Sequence, residues 1–443
     1  MNVMHGLKLL YIRSGWYEVF NFANESAKAR SFLLMQVAVA AVISGFTGGV
    51  YYTGYLIGHG IDIVNISILT LIPYAACLFS LLTPYILERF PKRRWILSIA
   101  RVAHYLLQIL GVSLLPLVIK DPDGRVVGLV ILVFVANAIN FLFSGYSPWH
   151  MPYITPNVRM QYFTATNLVS NVTGTVVMLI TSTVTDRLAA NDQLQLISVL
   201  RYVALGMAAL DVYLLQRPKE PVYLKTANRP KLLDIFRLPL SNKKFMLSMG
   251  VMFLFHLFIN ISYSVQNAWL LQEVGTGYLY LQLISAFYML FIMFTSKFWT
   301  KVAHKLGTFP SLALTLLLLA PTYLVFAFVN NSNFLWLMTI VRLGQHGVSM
   351  LQTYSSGNVI YISLPEKDQT NYTSFNTIIT NLSIFLSLSI GTAVVAIMGD
   401  TKVNIFGARL GAVPLLLFFT GVLMLILVVV IMLLRKKLPQ DNK

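Results

Sequence analysis

Three polar residues suited to binding a solute lie close together in an apolar stretch of the sequence. They are Arg342, Gln345 and His346. Arg342 precedes His346 by four residues, so the two side chains share one face if the stretch is helical. A guanidinium beside an imidazole favours an anion or a carboxylate. This group is therefore a candidate binding site for an anionic solute.

Polar residues also interrupt two other apolar stretches, and amides of this kind suit hydroxyl-rich solutes. They are His256, Asn260, Asn137 and Asn140. At a rise of about 1.5 Å per residue, His256 lies about 16 Å into its predicted helix and His346 about 18 Å into its own, near the middle of a bilayer. A polar side chain has little reason to be at that depth unless it faces a cavity or pairs with another helix. We therefore predict that all seven residues bind substrate.

Some of these residues also have a purely structural interpretation. Asn137 and Asn140 could serve only to hydrogen-bond between helices, and Arg342 could extend its charge toward the outer face. The spacing of the residues leaves these alternatives open.

The elements that position these residues must be membrane-spanning helices. The chain has 443 residues, of which 57% are hydrophobic and 11% charged, with a mean hydropathy of +0.70. Apolar stretches of about twenty residues recur along it, each long enough to cross a bilayer as a helix. This composition predicts an all-α polytopic membrane protein.

The net charge of +17 would suggest nucleic acid in a soluble domain. Here most Lys and Arg fall in segments that we assign to the cytoplasm, so the basic excess reflects topology and no nucleic-acid partner is expected. The single cysteine, Cys77, provides no disulfide framework. Nothing in the sequence specifies a cofactor or a metal.

A short basic loop lies between the second and third apolar stretches. It contains Pro84, Glu88, Arg89, Pro91, Lys92, Arg93 and Arg94. This pattern resembles the loop between helices two and three of the major facilitator superfamily. Both glycine positions of the usual motif hold proline here, and a glutamate replaces the commoner aspartate. The resemblance implies that Glu88, Arg89 and Arg93 form a cytoplasmic gate, although the cations could also act only as topology determinants.

The two halves of the sequence repeat each other. Phe163-Thr164 recurs as Tyr372-Thr373, displaced by about half the chain. A Pro-rich polar interruption separates the halves. We predict a cytoplasmic N-terminal segment (1–30), a six-helix bundle (31–216), a cytoplasmic linker (217–244), a second six-helix bundle (245–434) and a cytoplasmic tail (435–443). The expected fold is that of the superfamily, with twelve transmembrane helices in two pseudo-symmetric bundles.

The resemblance implies that spans one, four, seven and ten line a central cavity, and all seven of those residues lie on spans four, seven and ten. The expected function is secondary transport of a small polar organic solute, either a sugar or glycoside or an organic anion, by alternating access. The alternative is efflux of amphiphilic drugs or lipids. A membrane-embedded enzyme would need clustered acid-base or metal residues, and a sensor would usually carry an added soluble domain, so neither is favoured.

The interiors of the four cavity helices contain no Asp or Glu, and if transport is coupled to protons, His256 or His346 could carry them, because imidazole titrates in the right range. Exchange and facilitated diffusion fit these residues equally well, and import and export stay open. The expected partners are a small-molecule substrate and the lipid bilayer, with a monomer as the default. The expected location is the cytoplasmic membrane, with both termini on the cytoplasmic side.

Overall fold

The computed structural model describes residues 16–87, 89–90, 92–220, 232–365 and 367–440. Over these residues the chain is helical apart from short connections and one antiparallel pair of strands. The chain divides into two compact units, one formed by Met1–Gly60 with Phe79–Ala227 and the other by Ile61–Leu78 with Asn228–Lys443. The division after residue 227 falls within the predicted linker, and Ile61–Leu78 is a part of the first half that packs with the second unit.

The first unit is built from helices that run from the lead-in segment to the end of the predicted sixth span. They are α1 (Trp16–Val19), α2 (Glu25–Thr47), α3 (Gly49–Gly58), α5 (Thr83–Leu87), α6 (Arg94–Tyr105), α7 (Val112–Val118), α8 (Pro122–Ile139), α9 (Tyr146–His150), α10 (Pro156–Thr185) and α11 (Ala190–Leu215). A π-helical turn, Leu106–Gly111, joins α6 to α7. The core of this unit surrounds Trp149, Leu97 and Tyr146.

The second unit contains α4 and the remaining elements. They are α4 (Ile63–Ala76), α12 (Leu232–Ser241), α13 (Lys243–Ile259), α14 (Tyr263–Trp269), α15 (Tyr278–Leu306), α16 (Thr308–Phe326), α17 (Phe334–Ser363), α18 (Gln369–Met398), β1 (Val403–Ile405), β2 (Ala408–Leu410) and α19 (Ala412–Leu434). Helix α4 packs on α14 and α18, and its Ser67 shares a buried 2.5 Å hydrogen bond with Thr392.

In the described part of the chain, eleven helical stretches are long and apolar enough to cross a membrane. The protein is therefore a multi-pass membrane protein. The 30-residue helix α17 is not among the eleven. This helix carries Arg342, Gln345 and His346, and such polar side chains lower its mean hydropathy. The long helix that falls short of this apolar criterion is thus the one on which the sequence places the cationic site.

Several helices begin earlier than the apolar pattern predicts, because capping side chains extend them. Asn24 caps α2, accepting a 2.8 Å hydrogen bond from the backbone N–H of Ala27. Asp121 caps α8, which begins at Pro122, and its side chain accepts a 2.7 Å hydrogen bond from the backbone N–H of Gly124. Asparagine and aspartate are favoured at this position because they satisfy N–H groups that have no partner within the helix.

Each unit has a short helix that packs against one of its 30-residue helices. In the first unit α1 packs on α10, and Val19 of α1 is buried. In the second unit α12 packs on α18, where the Tyr372 hydroxyl donates to the backbone oxygen of Leu238 at 3.1 Å. Both short helices precede the first long helix of their half. The correspondence extends the internal repeat seen in the sequence.

Helix α18 approaches α13 and α14 closely through a row of small residues spaced four apart. Ser383 donates to the backbone oxygen of Phe253 at 2.5 Å, and Ser387 donates to that of Leu257. At the third position of the row, a Cβ atom added to Gly391 would lie 2.0 Å from the backbone oxygen of Ile261. Small residues at helix interfaces permit such close packing.

We expect Gly391→Ala to destabilise the protein by about 1–3 kcal/mol, because the added methyl group would force the two helices apart. The measurement is thermal unfolding in detergent. Gly250→Ala is the matched control, since Gly250 lies inside α13 with open space where its Cβ would be. The control is expected to melt at or above the wild-type temperature. Equal melting temperatures for Gly391→Ala and the wild type would contradict the close contact.

Candidate functional site

Arg342 and Gln345 form a hydrogen-bonded pair on α17. Nη1 of Arg342 donates to Oε1 of Gln345 at 3.0 Å, and the guanidinium carbon lies 4.8 Å from the centre of the Phe326 ring. Gln345 is buried, and its amide nitrogen has no hydrogen-bond partner. Because the arginine can only donate, the glutamine presents its oxygen to it, and the N–H groups of the glutamine are available to another acceptor. The pair thus combines a cation with a free donor, which an anionic oxygen would satisfy.

His346 lies on the same helix and contacts α15. Its Nε2 atom is 3.0 Å from the backbone oxygen of Ile284, and its ring meets the Tyr288 ring edge-on at 5.4 Å. An imidazole nitrogen beside a carbonyl oxygen must carry a proton to donate, which leaves Nδ1 as the other functional nitrogen. Arg342, Gln345 and His346 therefore lie on one helix, with neighbours from α15 and α16.

His256 and Asn260 lie where the seventh predicted span is interrupted. Helix α13 ends at Ile259 and α14 begins at Tyr263. The amide of Asn260 donates to the backbone oxygen of His256 at 2.8 Å, while the His256 ring is half-buried against Phe255. Interrupted helices expose backbone polar groups at depths where a continuous helix would hide them, a feature of many transporter binding sites.

In the first unit, Asn137 and Asn140 lie where α8 ends. Asn137 donates to the backbone oxygen of Val133 at 2.8 Å within its own helix. Asn140 is exposed and begins a 3₁₀ turn. Among the described residues Asn137 makes no hydrogen bond to a second helix. The assignment of both residues to substrate binding stays a prediction, as it does for the five residues of the second unit.

The carboxylate of Asp211 is completely buried and accepts hydrogen bonds from three side chains. The donors are Arg101 Nε at 3.0 Å, Tyr105 OH at 2.8 Å and Gln36 Nε2 at 2.7 Å. The guanidinium of Arg101 also lies 4.6 Å from the Phe143 ring centre. The similar depth of Arg101 and Asp211 in the sequence predicts their pairing, and the structure confirms it. Tyr105 and Gln36 carry no distinguishing signal in the sequence.

Arg201 of α11 is a fully buried cation, and its contacts are with neutral groups. Nε donates to Ser113 at 2.8 Å, Nη2 donates to the backbone oxygen of Gln108 at 3.0 Å, and the Tyr55 ring centre is 4.7 Å away. The π-helical turn at Leu106–Gly111 frees the carbonyl groups that receive this arginine. Arg201 lies in an apolar stretch of the sequence, which indicates an intramembrane position, but no sequence signal indicates the π-helical turn that accommodates it.

The predicted gate lies at the start of α6. Glu88 is outside the described residues, and Arg89 is exposed. The structure adds Glu220, whose carboxylate accepts from the backbone N–H groups of Arg93 and, at 3.0 Å, Arg94. A carboxylate at this point satisfies N–H groups at the helix start and complements its dipole. Because Glu220 is remote in sequence, the spacing of the basic loop could not identify it.

The comparisons with known proteins identify the fold. The nucleoside transporter NupG is 13% identical, matching 91% of this chain and 98% of its own with a TM-score of 0.69. A bacterial homologue of the iron transporter ferroportin is 13% identical, matching 91% of this chain and 98% of its own with a TM-score of 0.68. The xylose transporter XylE from E. coli is 13% identical, matching 93% of this chain and 96% of its own with a TM-score of 0.63.

No family model matches the sequence, and no curated protein matches it at a significant level. The structural neighbours are transporters of the major facilitator superfamily. The chain therefore has the fold of that superfamily, which is the fold that the resemblance implies.

We expect Asp211→Asn to cost about 3–5 kcal/mol of stability, because it leaves the Arg101 charge buried without its partner. Thermal unfolding in detergent measures the loss. Asp192→Asn on the same helix is the control, since Asp192 is exposed and its substitution should change little. If both substitutions lowered the melting temperature by the same small amount, the ion pair of Asp211 would not contribute this stability.

We expect Glu220→Ala to lower stability by about 1 kcal/mol through loss of the cap on α6, and Glu220→Gln to lose less because its amide oxygen still accepts. Hydrogen exchange at Arg93 and Arg94 locates the effect. Unchanged protection in the alanine variant would rule out the cap.

Proposed function

We propose that this protein is a secondary transporter, and not an enzyme, that moves a small organic anion across the cytoplasmic membrane by alternating access. In this proposal its long helices form twelve spans in two six-helix halves, with α17 as span ten. The observation that supports an anionic substrate is the environment of Arg342. This cation lies inside a long helix, where it donates a hydrogen bond to an amide and contacts an aromatic ring.

The balance of intramembrane charge supports an anionic substrate. Asp211 is the one carboxylate well inside the predicted spans, and it is committed to Arg101, the only ion pair among the described residues. Arg342 and Arg201 consequently have no carboxylate partner in the described part of the chain. An unpaired cation at such depth is costly, and it is usually retained where it binds a solute or an ion. A bound carboxylate would supply the missing negative charge.

The same charges argue against a metal cargo. The ferroportin homologue is described as related to an iron transporter, but divalent cations prefer carboxylates, imidazoles or thiolates as ligands. Asp211 is fully buried and already accepts three hydrogen bonds. In the described residues no group of three or more His, Cys, Asp or Glu could hold a metal ion.

A neutral hydroxyl-rich solute is the second candidate. NupG and XylE are described as nucleoside and xylose transporters. The free N–H groups of Gln345 and the amides of Asn137 and Asn260 suit such a ligand. Efflux of amphiphilic drugs or lipids is not favoured, since none of the three neighbours named above is described as exporting such compounds. Arg342 decides between the first two candidates.

We expect an organic anion to raise the apparent melting temperature of the purified protein. Arg342→Gln should weaken this ligand's affinity about ten- to a hundredfold, because a hydrogen bond to a charged group is lost. The panel contains organic acids, nucleosides and sugars, and uptake or exchange into proteoliposomes is measured in parallel.

Arg409→Gln is the matched control, since it removes one exposed arginine near β2 and should leave the affinity unchanged. If a sugar or nucleoside stabilised the Arg342→Gln and Arg409→Gln variants equally, the anion proposal would be wrong and the neutral solute would be the favoured substrate.

A further inference from the structure

A cavity of about 190 Å³ opens in the first unit, and none of the predicted substrate residues lines it. It lies where α2 begins and α11 ends. Its lining consists of Glu25, Lys28, Ala29, Phe32, Tyr153, Arg217, Pro218 and Lys219. Three cations and one carboxylate therefore surround it.

The cations of this cavity are not neutralised by neighbouring side chains. The single ion pair of the described residues joins Arg101 to Asp211, so Lys28, Arg217 and Lys219 have no carboxylate partner in that part of the chain. Three positive charges and one negative charge leave the cavity cationic. Positive charges clustered around a concave surface favour an anion.

Hydrogen bonds and ring contacts hold the cavity wall in place. The wall includes the clasp, defined here as residues 217–220, which follows α11. The Tyr153 hydroxyl donates to the backbone oxygen of Lys219 at 2.6 Å, and the Trp149 indole donates to that of Pro218 at 3.2 Å. The Arg217 guanidinium carbon lies 5.3 Å from the Phe32 ring centre. The cations are therefore carried by an anchored segment.

Exposed aromatic side chains adjoin the cavity. Phe22 is 53% exposed and packs edge-on against Phe32, which lines the cavity. Tyr213, 50% exposed, lies under the Arg217 guanidinium with its ring centre 4.6 Å away. Exposed tyrosines at the ends of membrane helices are typical of the boundary between hydrocarbon and headgroups. A ligand here would have its charged part in the cavity and apolar surface beside it.

We infer that this cavity binds a phosphate-bearing group, supplied by the headgroup of an anionic phospholipid. Lys28 and Lys219 neutralise the phosphate, and Arg217 offers a planar fork of N–H donors to its oxygens. Basic pockets at the membrane surface bind anionic headgroups in this way. The site is separate from the substrate residues, and occupancy would stabilise the clasp, whose Glu220 caps α6.

The experiment compares phosphatidylglycerol, phosphatidylcholine and inorganic phosphate by the apparent melting temperature of the purified full-length protein. Phosphatidylglycerol should stabilise the wild type more than the zwitterionic lipid does. The double variant Lys28→Gln/Lys219→Gln should need about thirtyfold more phosphatidylglycerol for the same stabilisation, because each lysine near the membrane surface contributes about 1 kcal/mol of binding free energy. Both lysines are exposed, so without lipid the variant should melt as the wild type does.

The control is Lys436→Gln/Lys437→Gln, which removes two exposed lysines beyond α19 and should respond as the wild type does. Glu25→Gln should tighten phosphatidylglycerol binding, because it removes the negative charge from the cavity lining. Lysine-dependent stabilisation by inorganic phosphate alone would support the phosphate site with a soluble source. The proposal would be overturned if both double variants lost the stabilisation by phosphatidylglycerol equally, or if no phosphate compound changed the melting temperature of the wild type.

Discussion

The cost of placing charge in hydrocarbon is the constraint on which the rest of the structure depends. Asp211 is buried completely, and it is stable there because an arginine, a tyrosine and a glutamine all donate to it. Its three donors come from α2 and α6, so one carboxylate ties three helices of the first unit together. Removing Arg101 would leave a buried negative charge that the bilayer cannot solvate.

The three intramembrane arginines meet this constraint in different ways. Arg101 has an ion-pair partner. Arg201 is solvated by a hydroxyl, by backbone carbonyls that a π-helical turn releases, and by tyrosine rings. Arg342 has one amide and one aromatic face and is half-buried. The arginine with the fewest internal partners is the one best placed to use a ligand as its partner, which is why the proposed substrate is an anion.

Backbone polar groups near breaks in the helices also find hydrogen-bond partners on neighbouring elements. In the second half of α13, serine hydroxyls of α18 donate to backbone oxygens, and Gly391 allows α18 to approach the backbone of Ile261 just beyond the helix end. Beyond α11, the clasp supplies backbone oxygens to Tyr153 and Trp149 and a carboxylate to the start of α6. These contacts stabilise non-helical segments that lie beside the predicted substrate and gate residues. Irregular backbone near a membrane is tolerated only where such partners exist.

The sequence alone determined the membrane class, the approximate positions of the long helices and the fold family, because hydrophobic length, basic loops and repeated motifs are local or periodic signals. It also predicted the Arg101–Asp211 pair, since charges at similar depth in hydrocarbon must seek each other. Helix starts were placed too late where Asn24 and Asp121 act as caps, because their side chains extend helices into polar sequence.

Only the tertiary structure decided which partners each polar side chain has. Sequence spacing could group Arg342, Gln345 and His346, but it could not reveal the Phe326 ring or the unpartnered Gln345 nitrogen. Likewise, no local pattern links Glu220 to α6 or gathers Lys28 and Lys219 around one cavity. Such contacts join residues far apart in the chain, and they exist only after the helices have packed.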